Sequence, residues 1–330
     1  MNRPLLSKKN LVFDSIIGLV IIIIISIIWL KQVSFSKKYS TEINASTVSS
    51  KGASEIRAMG ISMFIGGIGS EAGKFNEPRG MTIDSDGSIY ITDFRNYRIQ
   101  KFDKKGKFLH MWGGTQGEGP LQFYDPCDVA VDKKGFIYIA DTFNSRIQKL
   151  DPKGNFITSW KGVDRPRGIA VGPDNTVYVA NTAAHTISMH TSDGTLIKKI
   201  GSYGSGPLQF MNPNDVCVDE DNIIYVADSF NRRIQVISPE VTLIREIKVP
   251  GWDGKFFIEP YIALKGRRYI IATDPSQEKI YLFTTKGKLK KSIDVKNTFE
   301  RPMGVAISKK GQVYVVDCHN HKVQRVKELE

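Results

Sequence analysis

Six prolines in this chain are each followed by a residue pair that changes from copy to copy: Arg79-Gly80, Cys127-Asp128, Arg167-Gly168, Asn214-Asp215, Tyr261-Ile262 and Met303-Gly304. Brought to one place, Arg79, Asp128, Arg167, Asn214, Asp215 and Tyr261 would form a polar ring with chemistry open to it. Its arginines can hold an anionic group or a peptide end through charge-assisted hydrogen bonds. Asp128 and Asp215 can hold a cation between them, with calcium or zinc the candidates and no other cofactor implied. The plainer alternative is a solvated mouth that holds nothing.

Short strands must position these pairs. Residues 126–160 read as four β-segments separated by turn signals: 129–131, 136–140, 146–150 and 156–160, broken at Lys134-Gly135, Thr142-Phe143-Asn144 and Pro152-Lys153-Gly154. Strands this short, bounded by Gly, Pro, Asn and Asp, define an all-β unit that cannot bury both of its faces alone. The unit recurs from Pro78, Pro126, Pro166, Pro213, Pro260 and Pro302, about 40–48 residues apart. After each proline, at near-constant spacing, come Asp93, Asp141, Asn181, Asp228, Asp274 and Asp317. Arg98, Arg146, Thr186, Arg233, Lys279 and Lys322 follow five positions later. Four strands per copy at this period predict a β-propeller of six blades.

The pattern P-x-G/D-V-A-V-D, then Y-V-A-D, then N-x-R-I-Q, then a Gly turn and a Trp-Gly ending resembles the NHL repeat. The resemblance covers residues 56–330, and its third and fifth copies depart from it, at Asn181, Ala184 and Thr186 and at 266–269. It implies that the six pairs line one end of a central channel, where a propeller's function sits on otherwise repetitive scaffolding. NHL-like propellers include peptidyl-hydroxyglycine lyases, whose zinc is held by histidines directly after the repeat proline. None of the five histidines here (His110, His185, His190, His319, His321) occupies those positions, and His319 with His321 makes only a two-member metal pair. Six-bladed lactonases and esterases need carboxylates and asparagines around a channel metal; Asp128, Asn214 and Asp215 supply part of that set.

The repeated Asp and Asn are expected to hold tight turns, and the repeated Arg to pair with a carboxylate between blades. Tyr90, Tyr138, Tyr178, Tyr225 and Tyr314 are expected to fill blade-to-blade packing, as are Trp112 and Trp160. Residues 56–67 parallel the outer strand of the first copy, while the sixth copy stops after its third strand near Val326. The early segment is therefore expected to supply the missing strand and close the ring, since an unclosed ring leaves two unpaired edges. Three cysteines are too few for a disulfide framework; Cys217 reads as a buried small hydrophobe, and Cys127 and Cys318 as turn or strand-end residues.

Ahead of the propeller the chain reads as a tail at 1–10, a transmembrane signal-anchor helix at 11–30 and a Ser/Thr/Lys-rich linker at 31–54. The apolar run LVFDSIIGLVIIIIISIIWL is long enough to cross a bilayer. A cleaved signal peptide is the alternative; Lys31 and the isoleucine run suit an uncleaved anchor better. A short tail ahead of a large domain places the propeller outside the cytoplasm. Of 46 Lys/Arg and 34 Asp/Glu, seven and two fall in residues 1–54, leaving 39 against 32 beyond. That excess is expected to be a solvated surface or to favour anionic lipids or envelope polymers. RNA, the nucleic acid that some NHL propellers bind, is not the ligand expected outside the cytoplasm. The chain is thus expected to be a non-catalytic protein- or peptide-binding scaffold on a membrane, with a metal-dependent hydrolase or lyase as the alternative.

Overall fold

The computed structural model of the chain describes residues 60–252 and 259–329. They lie within one compact unit, Ser54–Glu330. Six four-stranded antiparallel sheets form six blades, and in five of them the strands lie in sequence order from the channel outward. The inner strands are Pro78–Ile83, Asp128–Val131, Pro166–Val171, Pro213–Val218, Ile262–Lys265 and Pro302–Ile307. The strands expected in the second copy are found within a residue of their reading, at Asp128–Val131, Ile137–Asp141, Arg146–Leu150 and Phe156–Trp160.

The sixth blade is spliced from both ends of the propeller. Its outer strand is Ile61–Gly66, paired antiparallel with Lys322–Val326 from Ile61 opposite Val326 to Gly66 opposite Lys322. The closure expected from the sequence is therefore present. Gly66 has φ +130, and a Cβ there would come within 2.6 Å of the His321 carbonyl oxygen, so this pairing requires glycine.

Burial explains why each strand has the composition it has. Second strands such as Ile137–Asp141 are buried at every position, because blades press on both of their faces, and they read as continuous apolar runs rather than alternating ones. Outer strands such as Leu289–Asp294 are almost wholly exposed and are rich in lysine. The core lies between blades: Tyr90, Ile99 and Trp112 of the first pack with Val129, Ile137 and Leu150 of the second. Each such side chain contributes about 1.5–3 kcal/mol on burial. The tyrosines and tryptophans thus pack blade to blade, as expected. Cys217 differs from its reading: it is half-buried, because it lies on the channel wall.

The repeated Asp and Arg correct one expectation. Arg146 Nε donates to Asp141 Oδ2 at 2.6 Å, and both residues belong to one blade rather than to two. The guanidinium reaches past this pair to the connection from the previous blade, donating to the carbonyls of Gly119 (2.9 Å) and Gln122 (2.8 Å). Gln148 joins it on Gln122 at 2.7 Å. The blades are therefore stapled through backbone carbonyls, with the carboxylate holding the Arg in place. In the third blade the set is rebuilt without charge: Asn181 Nδ2 donates to Ser188 Oγ, which also contacts His190 Nε2, both at 2.9 Å.

Candidate functional site

The inner strands begin at one end of the channel, and the six predicted site residues do converge there. Unlike the open polar ring the sequence suggests, five of them are buried and Arg167 is half-buried, and each is bonded to another part of the chain. Arg79, Asp128, Asn214, Asp215 and Tyr261 are each at most 6% exposed. Arg79 from the first blade and Arg167 from the third both donate to the Glu259 carboxylate, Arg79 to Oε2 at 2.5 Å and Arg167 to Oε1. Arg301, from the sixth blade, adds a third contact to Oε2 at 2.8 Å. The anion that the sequence invites into the ring is thus the chain's own side chain.

Burial alone would raise the Glu259 pKa, but the three guanidiniums more than offset it and hold the carboxyl down at about 2. Burial likewise opposes the charge on Arg79, and Glu259 restores it and more. The Arg79 guanidinium lies 3.6 Å from the Phe94 ring centroid, and Arg95 lies over the same ring at 4.8 Å. Glu77, whose Oε2 lies 4.0 Å from Arg79, adds a second and more distant carboxylate to the cluster. Among the described residues, Arg79 Nε and Arg167 Nε are buried without a hydrogen-bond partner.

Glu259 and Arg301 escaped the sequence reading because they precede the repeat proline instead of following it. A signal was available. The residues before the six prolines are Glu77, Asp125, Arg165, Asn212, Glu259 and Arg301, polar in every copy. Five of them, Glu77, Asp125, Arg165, Asn212 and Arg301, adopt left-handed φ between 45° and 63°. Such strain in non-glycine residues gathers where side chains are aimed at a site.

One layer deeper the ring is a set of bonds between blades, joining neighbours except where Tyr261 of the fifth blade reaches across the channel to the second. Asp128 Oδ2 accepts from the Ile169 N–H at 3.0 Å, and Asp215 Oδ2 from the Ile262 N–H at 2.8 Å. Asn214 donates to the Pro260 carbonyl and Tyr261 to the Cys127 carbonyl, each at 2.9 Å. The first, third and sixth blades place glycine here for room: a Cβ on Gly168 would sit 2.5 Å from the Asp215 Cα. Beyond this layer the channel opens as a cavity of about 360 Å³ running to Ile83, Val131 and Ile307 at the far end.

Burial pushes the Asp215 carboxyl up to about 7 against its two N–H donors. Asp128 is raised well above the carboxylate range, first by burial and then by the Asp215 charge. Carboxyls whose charge is disfavoured by burial and whose oxygens are committed to backbone N–H groups are poor metal ligands. Among the described residues no group of three or more His, Cys, Asp or Glu is arranged to hold a metal ion. His319 faces Glu300 at 3.6 Å, and His321 Nδ1 accepts from the Glu77 N–H at 3.1 Å, so the two histidines serve separate contacts.

A pH effect follows from Asp215. Its pKa rises from 3.8 to about 7 on folding, so its stabilising contribution is complete below about pH 4 and is lost as pH rises towards 7. Asp215→Asn removes that dependence. Relative to the wild type, the variant should gain about 2–4 kcal/mol between acid and neutral pH, since each tenfold change in proton affinity is worth about 1.4 kcal/mol. Urea midpoints across the range would read it, and parallel curves for the two proteins would sink the assignment.

The closed ring of six four-stranded blades, with its site residues on inner strands, defines the six-bladed β-propeller class. The NHL repeat model matches residues 75–102, 123–150 and 299–326. A model described as a 6-bladed beta-propeller matches residues 171–260. The chain thus carries NHL repeats and folds as a six-bladed β-propeller. A stretch of 43 residues, 13% of the chain, is 44% identical to the B-box type zinc finger protein ncl-1 of Caenorhabditis elegans. Another of 48 residues, 14% of the chain, is 40% identical to the protein brain tumor of Drosophila melanogaster. The matches span only 5% of the length of each of these proteins. A streptogramin B lyase structure is similar with TM-score 0.58 and 17% identity over 80% of this chain and 96% of that one. A nidogen/laminin complex chain gives 0.56 and 18% over 69% and 84%. At these identities the likeness is one of fold alone. Among the described residues no helix is long and apolar enough to cross a membrane; the expected anchor at 11–30 lies outside them.

Proposed function

We propose that the chain is a membrane-anchored, non-catalytic protein- or peptide-binding module whose propeller stands outside the cytoplasm. The observation that carries the binding reading is an aromatic and arginine surface on the plugged face. Tyr124 contacts Tyr97 at 6.5 Å between ring centroids and Phe143 at 5.3 Å, and Arg165 lies over Phe143 at 5.4 Å. Tyr124 and Phe143 are 38% and 42% exposed, and Tyr203 on the same face is 64% exposed. Exposed tyrosine, phenylalanine and arginine on a rigid frame are the residue types that anchor protein partners, with little ordering entropy lost on binding. The anchor is supported by the apolar run at 11–30.

The alternative, a metal-dependent hydrolase or lyase, would have to use Asp128 and Asp215, both already engaged by backbone N–H groups. The full chain in detergent, used to select from a displayed peptide library, should enrich sequences whose binding survives chelator. Tyr124→Ala with Phe143→Ala should weaken such binding about thirtyfold or more, in line with the loss of about 2 kcal/mol expected at an anchor residue. Binding unchanged in that variant, or turnover with a bound metal that is lost in Asp128→Asn, would reverse the reading.

A further inference from the structure

On the face opposite the plug, where the channel opens, a cleft of about 410 Å³ crosses the seam between the first and sixth blades. Its rim carries Lys104 and Lys105 from the outer turn of the first blade, and Lys309 and Lys310 from the inner turn of the sixth. All four are exposed, and among the described residues Asp86 is the only carboxylate in the lining. Ile83, Ile89 and Tyr314 form its apolar floor.

The local turn chemistry explains the imbalance. Five turns on this face begin with Asp, at 84, 103, 132, 151 and 219, each accepting backbone N–H groups and bringing a negative charge to its turn. Asp103 Oδ1 accepts from the N–H groups of Lys105 (2.8 Å) and Lys107 (2.9 Å), and Asp84 Oδ1 from those of Asp86 and Ser88, both at 2.9 Å. The sixth blade does the same work without charge, since Ser308 Oγ accepts from the Gln312 N–H at 3.2 Å. That turn therefore adds no carboxylate beside Lys309 and Lys310.

The chain also enters the propeller on this side. Ile61 lies opposite Val326 at the far end of the outer strand, and Gly60 accepts from the Lys327 N–H at 3.1 Å. Gly60, where the described residues begin, thus lies on the sixth blade at this end of the propeller.

We infer that this seam cleft binds the phosphate headgroups of anionic phospholipids in the membrane that holds the chain, an inference resting on the anchor reading above. Each lysine near an anionic surface adds attraction that reaches about a Debye length. Tethering by residues 31–59 keeps the surface within reach at high effective concentration, so weak contacts suffice. An apolar floor below a cationic rim suits a headgroup with its glycerol stem. Binding of single-stranded RNA would call for exposed aromatic platforms, which this protein carries on the other face. With its open face on the lipid, the propeller presents Tyr124 and Phe143 away from it.

The test uses the full chain in phosphatidylcholine vesicles with or without about a third phosphatidylglycerol, and reads lysine acylation by mass spectrometry. Lys104, Lys105, Lys309 and Lys310 should react about fivefold more slowly when phosphatidylglycerol is present, and recover in about 1 M salt. Lys161 and Lys296, on the plugged side, should react equally in both. Lys309→Glu with Lys310→Glu should abolish protection at Lys104 and Lys105. Equal reactivity in both vesicles overturns the inference, as does equal protection of lipid-free chain by inorganic phosphate or by RNA. Flotation with pure phosphatidylcholine vesicles reports the anchor separately: a chain that fails to float there but is still protected by phosphatidylglycerol refutes the anchor and keeps the cleft.

Discussion

Replacing Glu259 by glutamine is expected to destabilise the propeller by about 3–5 kcal/mol, the usual cost of removing one partner from a buried ionic cluster. The side chain is 8% exposed and is the carboxylate against which Arg79, Arg167 and Arg301 are all placed. Those arginines come from the first, third and sixth blades, so the loss would be felt across the ring rather than within one sheet. Glutamine keeps the shape and a hydrogen-bond acceptor but leaves three cations facing one another. Glu259→Asp, which keeps the charge on a shorter arm, should lose markedly less. A further readout separates charge from packing. Phosphate or sulfate should raise the urea midpoint of the glutamine variant more than that of the wild type, because an external anion can then occupy the vacated position. A glutamine variant within about 1 kcal/mol of the wild type, indifferent to anions, would show that the arginines are held by something else.

The second large effect is expected at the seam. Removing residues 1–66 should lower the melting temperature by about 10–20 °C or abolish cooperative unfolding, while removing residues 1–54 should leave it nearly unchanged. The longer deletion takes away the outer strand of the sixth blade and bares the Lys322–Val326 edge, whose backbone groups then have no partner. It also uncovers apolar side chains of the sixth blade that pack with Ile65, itself 5% exposed. The two truncations differ by a dozen residues, so equal stability would mean that Ile61–Gly66 only decorates an already closed ring.

Much of the frame was readable because its causes are local. The turn residues, the apolar second strands and the proline spacing repeat in phase, and a blade count needs nothing more. The closing strand was readable for the same reason, since 56–67 carries an outer-strand pattern with no inner strand before it. The site was half readable. Arg79, Asp128, Arg167, Asn214, Asp215 and Tyr261 do meet at one end of the channel, but their bonding depends on which neighbours face each other across it. That is a property of ring closure rather than of any one copy. Glu259 illustrates the limit. A residue before proline ordinarily favours extended backbone, whereas its counterparts Glu77, Asp125, Arg165, Asn212 and Arg301 are left-handed and so turn their side chains where a local rule would not send them. The repeated arginines failed as a prediction for a similar reason: apart from Glu246, which pairs with Arg233 inside one blade, their partners beyond Asp141 and its equivalents are mainly backbone carbonyls, which every sequence contains.

The splice in the sixth blade also sets an order of events during synthesis. Ile61 and Val326 are partners although about 265 residues separate them. A ribosome delivers the outer strand first and the three strands it completes last, so Ile61–Gly66 must wait, unpaired, while five blades form behind it. The entropy of closing so long a loop grows only as the logarithm of its length, so distance itself is a mild obstacle. The exposure time is the larger hazard, because a waiting strand is an open template for the wrong edge. Gly66 and Gly67 at the end of that strand weaken its intrinsic preference for extended pairing. The feature that makes the finished seam dependent on glycine would thus also delay its premature use.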